Sequence, residues 1–227
     1  MSEDNYEFVQ LTNENSSELS EFLMSHFLLE EPMNRAIGMS RENFQPFVDK
    51  LFERTLNIPF SFALVEKDSR KFAACAMSSL WINEKNDVAH KDTENHGDEF
   101  TFGNPERKDI AAVGKILTEL HGKFFEICLD VEQALHLEIL SVAKEHQRRG
   151  LASRLMAKME DPAKMREFKC SKIASEISSL ANQCLMKKRG YTALTETLFA
   201  SECDESGRPL IVTDDGTDRV VLVCKDF

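Results

Sequence analysis

The feature that most constrains this chain is an apolar segment, Leu135 to Val142, followed after Ala143-Lys144-Glu145-His146 by the turn Gln147-Arg148-Arg149-Gly150-Leu151-Ala152. A short apolar run of that length predicts a strand. Leu151, Leu155 and Met159 then fall on one face of a helix, so the turn sits at a helix N-terminus. There the free N–H groups and the helix dipole point at one spot, which suits an anion and phosphate in particular. Gly150 lets the backbone approach a ligand, Ala152 is too small to obstruct it, and Arg148 and Arg149 can add charge from the rim. A Gln-x-x-Gly-x-Ala string alone recurs by chance. The strand before it and the helix after it give it meaning.

The rest of the chain supplies elements on both sides of this motif. A first strand, Tyr6 to Leu11, precedes polar N-cap candidates and a helix with Leu19, Phe22, Leu23 and Phe27 at helical spacing, ending near Leu28. Ser40 can cap a second helix carrying Phe44, Phe47, Val48, Leu51 and Phe52. Phe60 to Glu66 and Lys71 to Trp81 read as a hairpin. Ile82 to Lys108 is a polar insertion containing His90, His96, Gly97 and Gly103, and so long a loop is usually functional or mobile. Asp109 to Leu129 is helical in pattern, and Pro162 closes or interrupts the helix from Leu151 to Met159. A strand, Lys172 to Ile177, then precedes a helix, Ser179 to Arg189, with Gly190 as its C-terminal stop. Two last strands, Tyr191 to Ala200 and Val220 to Lys225, flank a turn-rich segment. At 227 residues without an evident linker, the expectation is one domain spanning 1–227.

Charge and residue type exclude several function classes. A net charge of -11 argues against nucleic acid, whose binding draws on Lys and Arg neutralising phosphates, and suits a cationic small molecule instead. The six cysteines form no CxxC pair, which leaves neither a zinc ribbon nor a disulfide framework and predicts reduced, mostly buried thiols. His90, His96, His121 and His136 match no metal-ligand spacing, so no metal is expected. No GxSxG elbow marks a serine hydrolase. With no signal peptide and no membrane-length apolar run, the expected compartment is the cytoplasm.

The turn and the order of elements across most of the chain resemble the GNAT superfamily of acyl-CoA-dependent N-acyltransferases. Its mark is an Arg/Gln-x-x-Gly-x-Gly/Ala turn after the fourth strand, gripping the pyrophosphate of coenzyme A. The resemblance implies an α+β, αβα-layered fold. Its central twisted sheet is mixed but mostly antiparallel, with about seven strands, and CoA lies in the splay between strands four and five. It places cofactor contacts on Leu140, whose N–H would serve the developing oxyanion, on Val142 for the pantetheine arm, on Gln147, Arg148, Arg149, Gly150, Leu151 and Ala152, and on Asn182.

Ile139-Leu140-Ser141-Val142 with the turn, together with Glu30-Glu31-Pro32-Met33-Asn34, is similar to the arylalkylamine N-acetyltransferases of invertebrates. There the Glu of an acidic-Glu-Pro-Leu-Asn segment is the catalytic base, a role that falls here on Glu31. Acetyl-CoA is then the cosubstrate, and a small arylalkylamine of the dopamine, serotonin or tyramine kind is the acceptor. A protonated amine must lose a proton before it attacks, so a base is required. Glu138 is the second candidate, because strand alternation puts His136, Glu138 and Leu140 on one face. Ser141 aligns with an assisting serine or is an ordinary strand serine. The His-Leu-His of vertebrate relatives is His136-Leu137-Glu138 here, and the tyrosine that commonly protonates the leaving thiolate is replaced by Met186. Those two departures leave a second reading, a non-catalytic acyl-CoA-binding module. Polyamines and protein amines remain alternative acceptors.

Overall fold

The computed structural model describes residues 5–83 and 100–227, so His90, His96, Gly97 and most of the polar insertion lie outside the described residues. The strands are β1 (Tyr6–Gln10), β2 (Phe62–Glu66), β3 (Phe72–Ile82), β4 (Gln133–Val142), β5 (Lys172–Ile177), β6 (Thr192–Leu198) and β7 (Arg219–Asp226). The helices are α1 (Ser16–Phe22), α2 (Leu28–Glu30), α3 (Pro32–Ala36), α4 (Arg41–Thr55), α5 (Lys108–Ile127), α6 (Leu151–Met159), α7 (Pro162–Glu167) and α8 (Leu180–Lys188). The strands form a 7-stranded sheet in the order β1-β2-β3-β4-β5-β7-β6. Every neighbouring pair is antiparallel except β4–β5.

That exception makes the splay. β4 and β5 pair in parallel only at Leu135–Ile173 and His136–Ala174. Beyond those residues β4 runs on to Val142 and β5 to Ile177 without pairing, and the gap between them opens into a cleft. The GNAT-type layering anticipated from the sequence is therefore present. One core packs α1, α4 and α5 against one face of the sheet, and a second packs α6, α7 and α8 against the other. Each large apolar side chain fully buried in either contributes about 1.5–3 kcal/mol.

A bulge changes which residues of β4 share a face. Met77 of β3 pairs with Ile139 and Ser78 with Leu137, leaving Glu138 as the extra residue. An extra residue restarts the alternation. Ile139 consequently packs in the α1/α4/α5 core, while Leu140 and Val142 pack in the core containing α6. The expected common face of His136, Glu138 and Leu140 therefore breaks at Glu138, and Leu140 lies on the opposite side.

The N-terminal helical region runs further than its apolar spacing suggests. Thr12 and Asn15 form a capping box before α1, and a π-helical turn, Leu23–Phe27, carries the chain into α2 as far as Glu30. The wider turn keeps Leu23, Met24 and Leu28 buried although they leave α-helical register. Ser40 caps α4 as expected, accepting the Asn43 N–H at 3.2 Å. Four of the six cysteines, Cys75, Cys128, Cys170 and Cys224, are buried. No helix among the described residues is long and apolar enough to cross a membrane.

Candidate active site

The turn after β4 has the backbone an anion cradle needs. A short 3-10 segment, Lys144–His146, gives way to extended Gln147, then to left-handed Arg148 (φ 62) and left-handed Gly150 (φ 78), which is the N-cap of α6. Alternating backbone hand turns successive N–H groups toward one concavity. Gln147 Nε2 donates to the Val142 carbonyl at 3.3 Å, tying the turn to the end of β4.

Arg148 lines the adjoining cavity, whereas Arg149 is held behind the turn. Its guanidinium donates to Tyr6 Oη at 2.9 Å and to the Glu145 carbonyl at 2.9 Å, and Tyr6 Oη lies 2.9 Å from His146 Nδ1. Thus β1, at the far edge of the sheet, braces the turn. Arg149 holds its shape instead of standing at the rim.

The turn opens on a cavity of about 530 Å³ in the β4–β5 splay. Leu140, Ser141, Val142, Gln147, Gly150, Leu151 and Ala152 line it, and so do Asn182 and Met186 of α8. Asn182 Nδ2 donates to the Leu140 carbonyl at 3.4 Å, fastening α8 to β4 across the splay. Phe27, Phe44, Phe47, Phe100 and Phe102 form an aromatic wall, with Phe44 and Phe102 each 5.3 Å from Phe47 between ring centroids. Phe60 and Trp81 are packed elsewhere. Phe60 meets Phe168, and Trp81 stacks on His121.

Glu31 reaches the same cavity from the N-terminal region. It leaves the helical path with an extended backbone and caps α3, with Pro32 as the first helical residue. Its carboxylate accepts the Met33 N–H at 3.1 Å, the Asn34 N–H at 2.6 Å and the Ser178 hydroxyl at 2.7 Å. The residue is 9% exposed. Burial raises its pKa above the ordinary carboxylate value, against the opposing hydrogen bonds from Asn34, Ser178 and Met33 and the charge of Arg35. Arg35 is itself pinned by Asp214, at 2.9 Å from Nε, so the β6–β7 connection steadies α3. Ser178, just past β5, gave no signal in the sequence beyond its place before a helix start.

Glu138 and His136 belong to a different arrangement. Arg54 of α4 binds both oxygens of Glu138 at 2.6 Å, and His136 Nδ1 lies 3.7 Å from the same carboxylate. His136 Nε2 is 2.6 Å from one oxygen of Glu176, and His121 Nδ1 is 3.2 Å from the other. Burial alone would raise the pKa of Glu176, but the charge of His136 and the hydrogen bonds from His121 and His136 hold it well below the usual range. His121, His136 and Glu176 bring possible ligand atoms within 4.8 Å of one another, a grouping invisible in their sequence spacing because it spans α5, β4 and β5. Each Glu176 oxygen already faces one imidazole. The geometry is that of a closed hydrogen-bonded network.

Residues 40–191 of the 227 match the model of the acetyltransferase (GNAT) family. The chain belongs to the GNAT family. No curated protein matches it in sequence at a significant level. Among solved structures, it is similar to arylalkylamine N-acetyltransferase 2 from Aedes aegypti, with a TM-score of 0.80 at 19% identity over 98% of this chain and 99% of that one. It is also similar to an agmatine N-acetyltransferase, with a TM-score of 0.77 at 17% identity over 99% of this chain and 100% of that one. The Drosophila melanogaster polyamine N-acetyltransferase, which forms N-acetylagmatine, superposes with a TM-score of 0.75 at 16% identity over 98% of this chain and 100% of that one. As a GNAT acetyltransferase the protein uses acetyl-CoA, and the cradle fits it. A Cβ at Gly150 would meet nothing within 4 Å, so the approach to the N-terminus of α6 is open. Met186, where GNAT enzymes commonly place a tyrosine, is buried and offers no proton to a departing thiolate.

Proposed function

We propose that this protein transfers the acetyl group of acetyl-CoA to the primary amine of a small arylalkylamine, with Glu31 as the general base. The observation that carries the reading is one cavity holding the phosphate-binding turn, an aromatic wall and a buried carboxylate with only neutral hydrogen-bond donors on its oxygens. A carboxylate whose pKa is raised is better matched to accept a proton near neutral pH. The wall of Phe27, Phe44, Phe47, Phe100 and Phe102 suits an aryl group, and buried carboxylate and wall together suit a cation with an apolar body. The similar Aedes enzyme is named for arylalkylamines.

Acetyl-CoA supplies an activated thioester. On this reading Gln147, Arg148, Gly150, Leu151 and Ala152 hold its pyrophosphate, while Val142 and Asn182 guide the pantetheine arm. Leu140 donates its N–H where negative charge develops on the carbonyl oxygen. Glu31 receives the amine proton, and Ser178 keeps the carboxylate turned toward the cavity. Ser141 and His136 support the site from β4, and the thiolate leaves unprotonated or takes its proton from water. The test is release of free thiol from acetyl-CoA with a panel of arylalkylamines. Tight CoA binding without thiol release from any amine would instead make the chain a binding module.

A further inference from the structure

We infer that Arg54 is a specificity-determining residue that neutralises the Glu138 carboxylate in the inner wall of the acceptor cavity and so selects amines carrying a single positive charge. The inference rests on the amine-acetyltransferase reading of this site.

The inner wall contains two carboxylates, Glu138 and Glu176. Either would be a natural seat for the distal cation of a diamine, an agmatine-like guanidine or a polyamine. Along β5 Glu176 lies two residues before Ser178, the partner of Glu31, and two residues of strand span about 7 Å. That separation matches the reach of a short diamine placed with one nitrogen at Glu31. Neither carboxylate is available to it. Glu176 is answered by His121 and His136. Glu138 is answered by Arg54, whose fork takes both oxygens at 2.6 Å while the side chains are 17% and 2% exposed.

The pairing is built into the fold. Arg54 comes from the last turn of α4, its guanidinium lies 5.7 Å from the centre of the Phe47 ring, and Glu138 is the bulged residue of β4. The guanidinium thus joins the aromatic wall to the strand. A bidentate Arg–carboxylate pair is among the stronger polar contacts in a protein. A second cation arriving here meets an ion pair whose charges offset, so it gives up its hydration without gaining an attraction in return. An uncharged ring meets no such penalty.

The test compares kcat/KM for putrescine or agmatine with kcat/KM for phenethylamine. Wild type is expected to favour phenethylamine by about a hundredfold. Arg54→Gln exposes the charge of Glu138 and raises the diamine-to-arylalkylamine ratio about tenfold or more. The double variant Arg54→Gln/Glu138→Gln removes both charges and returns the ratio to the wild-type value. Breaking a buried pair can unfold a protein, so Glu138→Gln alone provides a second arm. It keeps an acceptor for Arg54, removes the negative charge that faces the guanidinium and lowers the ratio further. An active wild type that acetylates diamines as well as phenethylamine, or ratios that do not move in the Arg54 and Glu138 variants, overturns the inference alone. A wild type that acetylates no amine overturns the proposed function instead.

Discussion

Replacing Glu31 by Gln tests the chemistry most directly. The carboxylate accepts three hydrogen bonds, from Met33 N–H, Asn34 N–H and Ser178 Oγ. A glutamine can turn its oxygen to the Asn34 N–H, the shortest of the backbone pair, and its NH₂ can be accepted by a rotated Ser178 hydroxyl. The Met33 N–H then loses its partner, at a cost of about 1–2 kcal/mol. A second effect has the opposite sign. Because the folded pKa of Glu31 is raised above 4.5, its stabilising contribution is full below that value and lost as pH rises through the folded pKa. Above the folded pKa the wild type carries a buried charge that opposes folding, and the neutral glutamine removes it. The melting temperature should accordingly move little. Turnover should fall about 10²–10⁴-fold, the usual worth of a positioned base.

The assay is thiol release at saturating acetyl-CoA across a pH series, with CoA affinity measured on the same preparations. Wild-type kcat/KM should show an acid limb falling as pH drops through the raised Glu31 pKa. The variant should lose that limb and gain rate with pH as the free amine accumulates in solution. Turnover within about threefold of wild type, with CoA affinity intact, would remove Glu31 from the mechanism.

Three other substitutions address neighbouring parts of the site. Gly150→Ala finds room for its Cβ but must hold φ 78, a strain of about 1–2 kcal/mol, so CoA affinity should fall roughly fivefold to thirtyfold; unchanged affinity in a calorimetric titration refutes the cradle geometry. Tyr6→Phe deletes the hydroxyl shared by Arg149 and His146, and KM for acetyl-CoA should rise about fivefold with kcat preserved. An effect confined to kcat would mean that β1 does not brace the turn. Ser178→Ala removes a donor that lowers the pKa of Glu31, so the acid limb of kcat/KM should move to higher pH. A limb that stays or moves down contradicts that assignment of the limb.

The elements easiest to read in the sequence are those whose chemistry is local. Gly150, the apolar stripe of α6 and the run of β4 are close in the chain, so their roles in a strand, turn and helix follow from spacing. Ser40, the cap of α4, is legible for the same reason. What spacing could not show are meetings between distant segments. Ser178 joins Glu31 across 147 positions and Arg149 joins Tyr6 across 143, and no periodicity encodes either contact. The bulge at Glu138 is a subtler case. A strand's sequence pattern assumes unbroken alternation, and a single unpaired residue reverses it for everything downstream, which is why Leu140 changed faces while His136 did not.

The same bulge explains why two carboxylates beside one cavity have different parts to play. Glu31 sits at a helix start, where its oxygens meet backbone N–H groups and a hydroxyl, all neutral. Such donors hold a carboxylate in place without cancelling its charge, and burial with no cation on its oxygens leaves it ready to take a proton. Glu138, pushed out of register, reaches α4 and is gripped through both oxygens by a guanidinium, which never gives up its proton under ordinary conditions. To accept a proton from an amine, Glu138 would have to surrender a bidentate ion pair inside the protein and leave Arg54 without it. The energetic difference lies in the partners rather than in the carboxyl groups. On the proposed reading it favours Glu31 over Glu138 for proton transfer, and it leaves Glu138 held by Arg54 in the wall of the cavity.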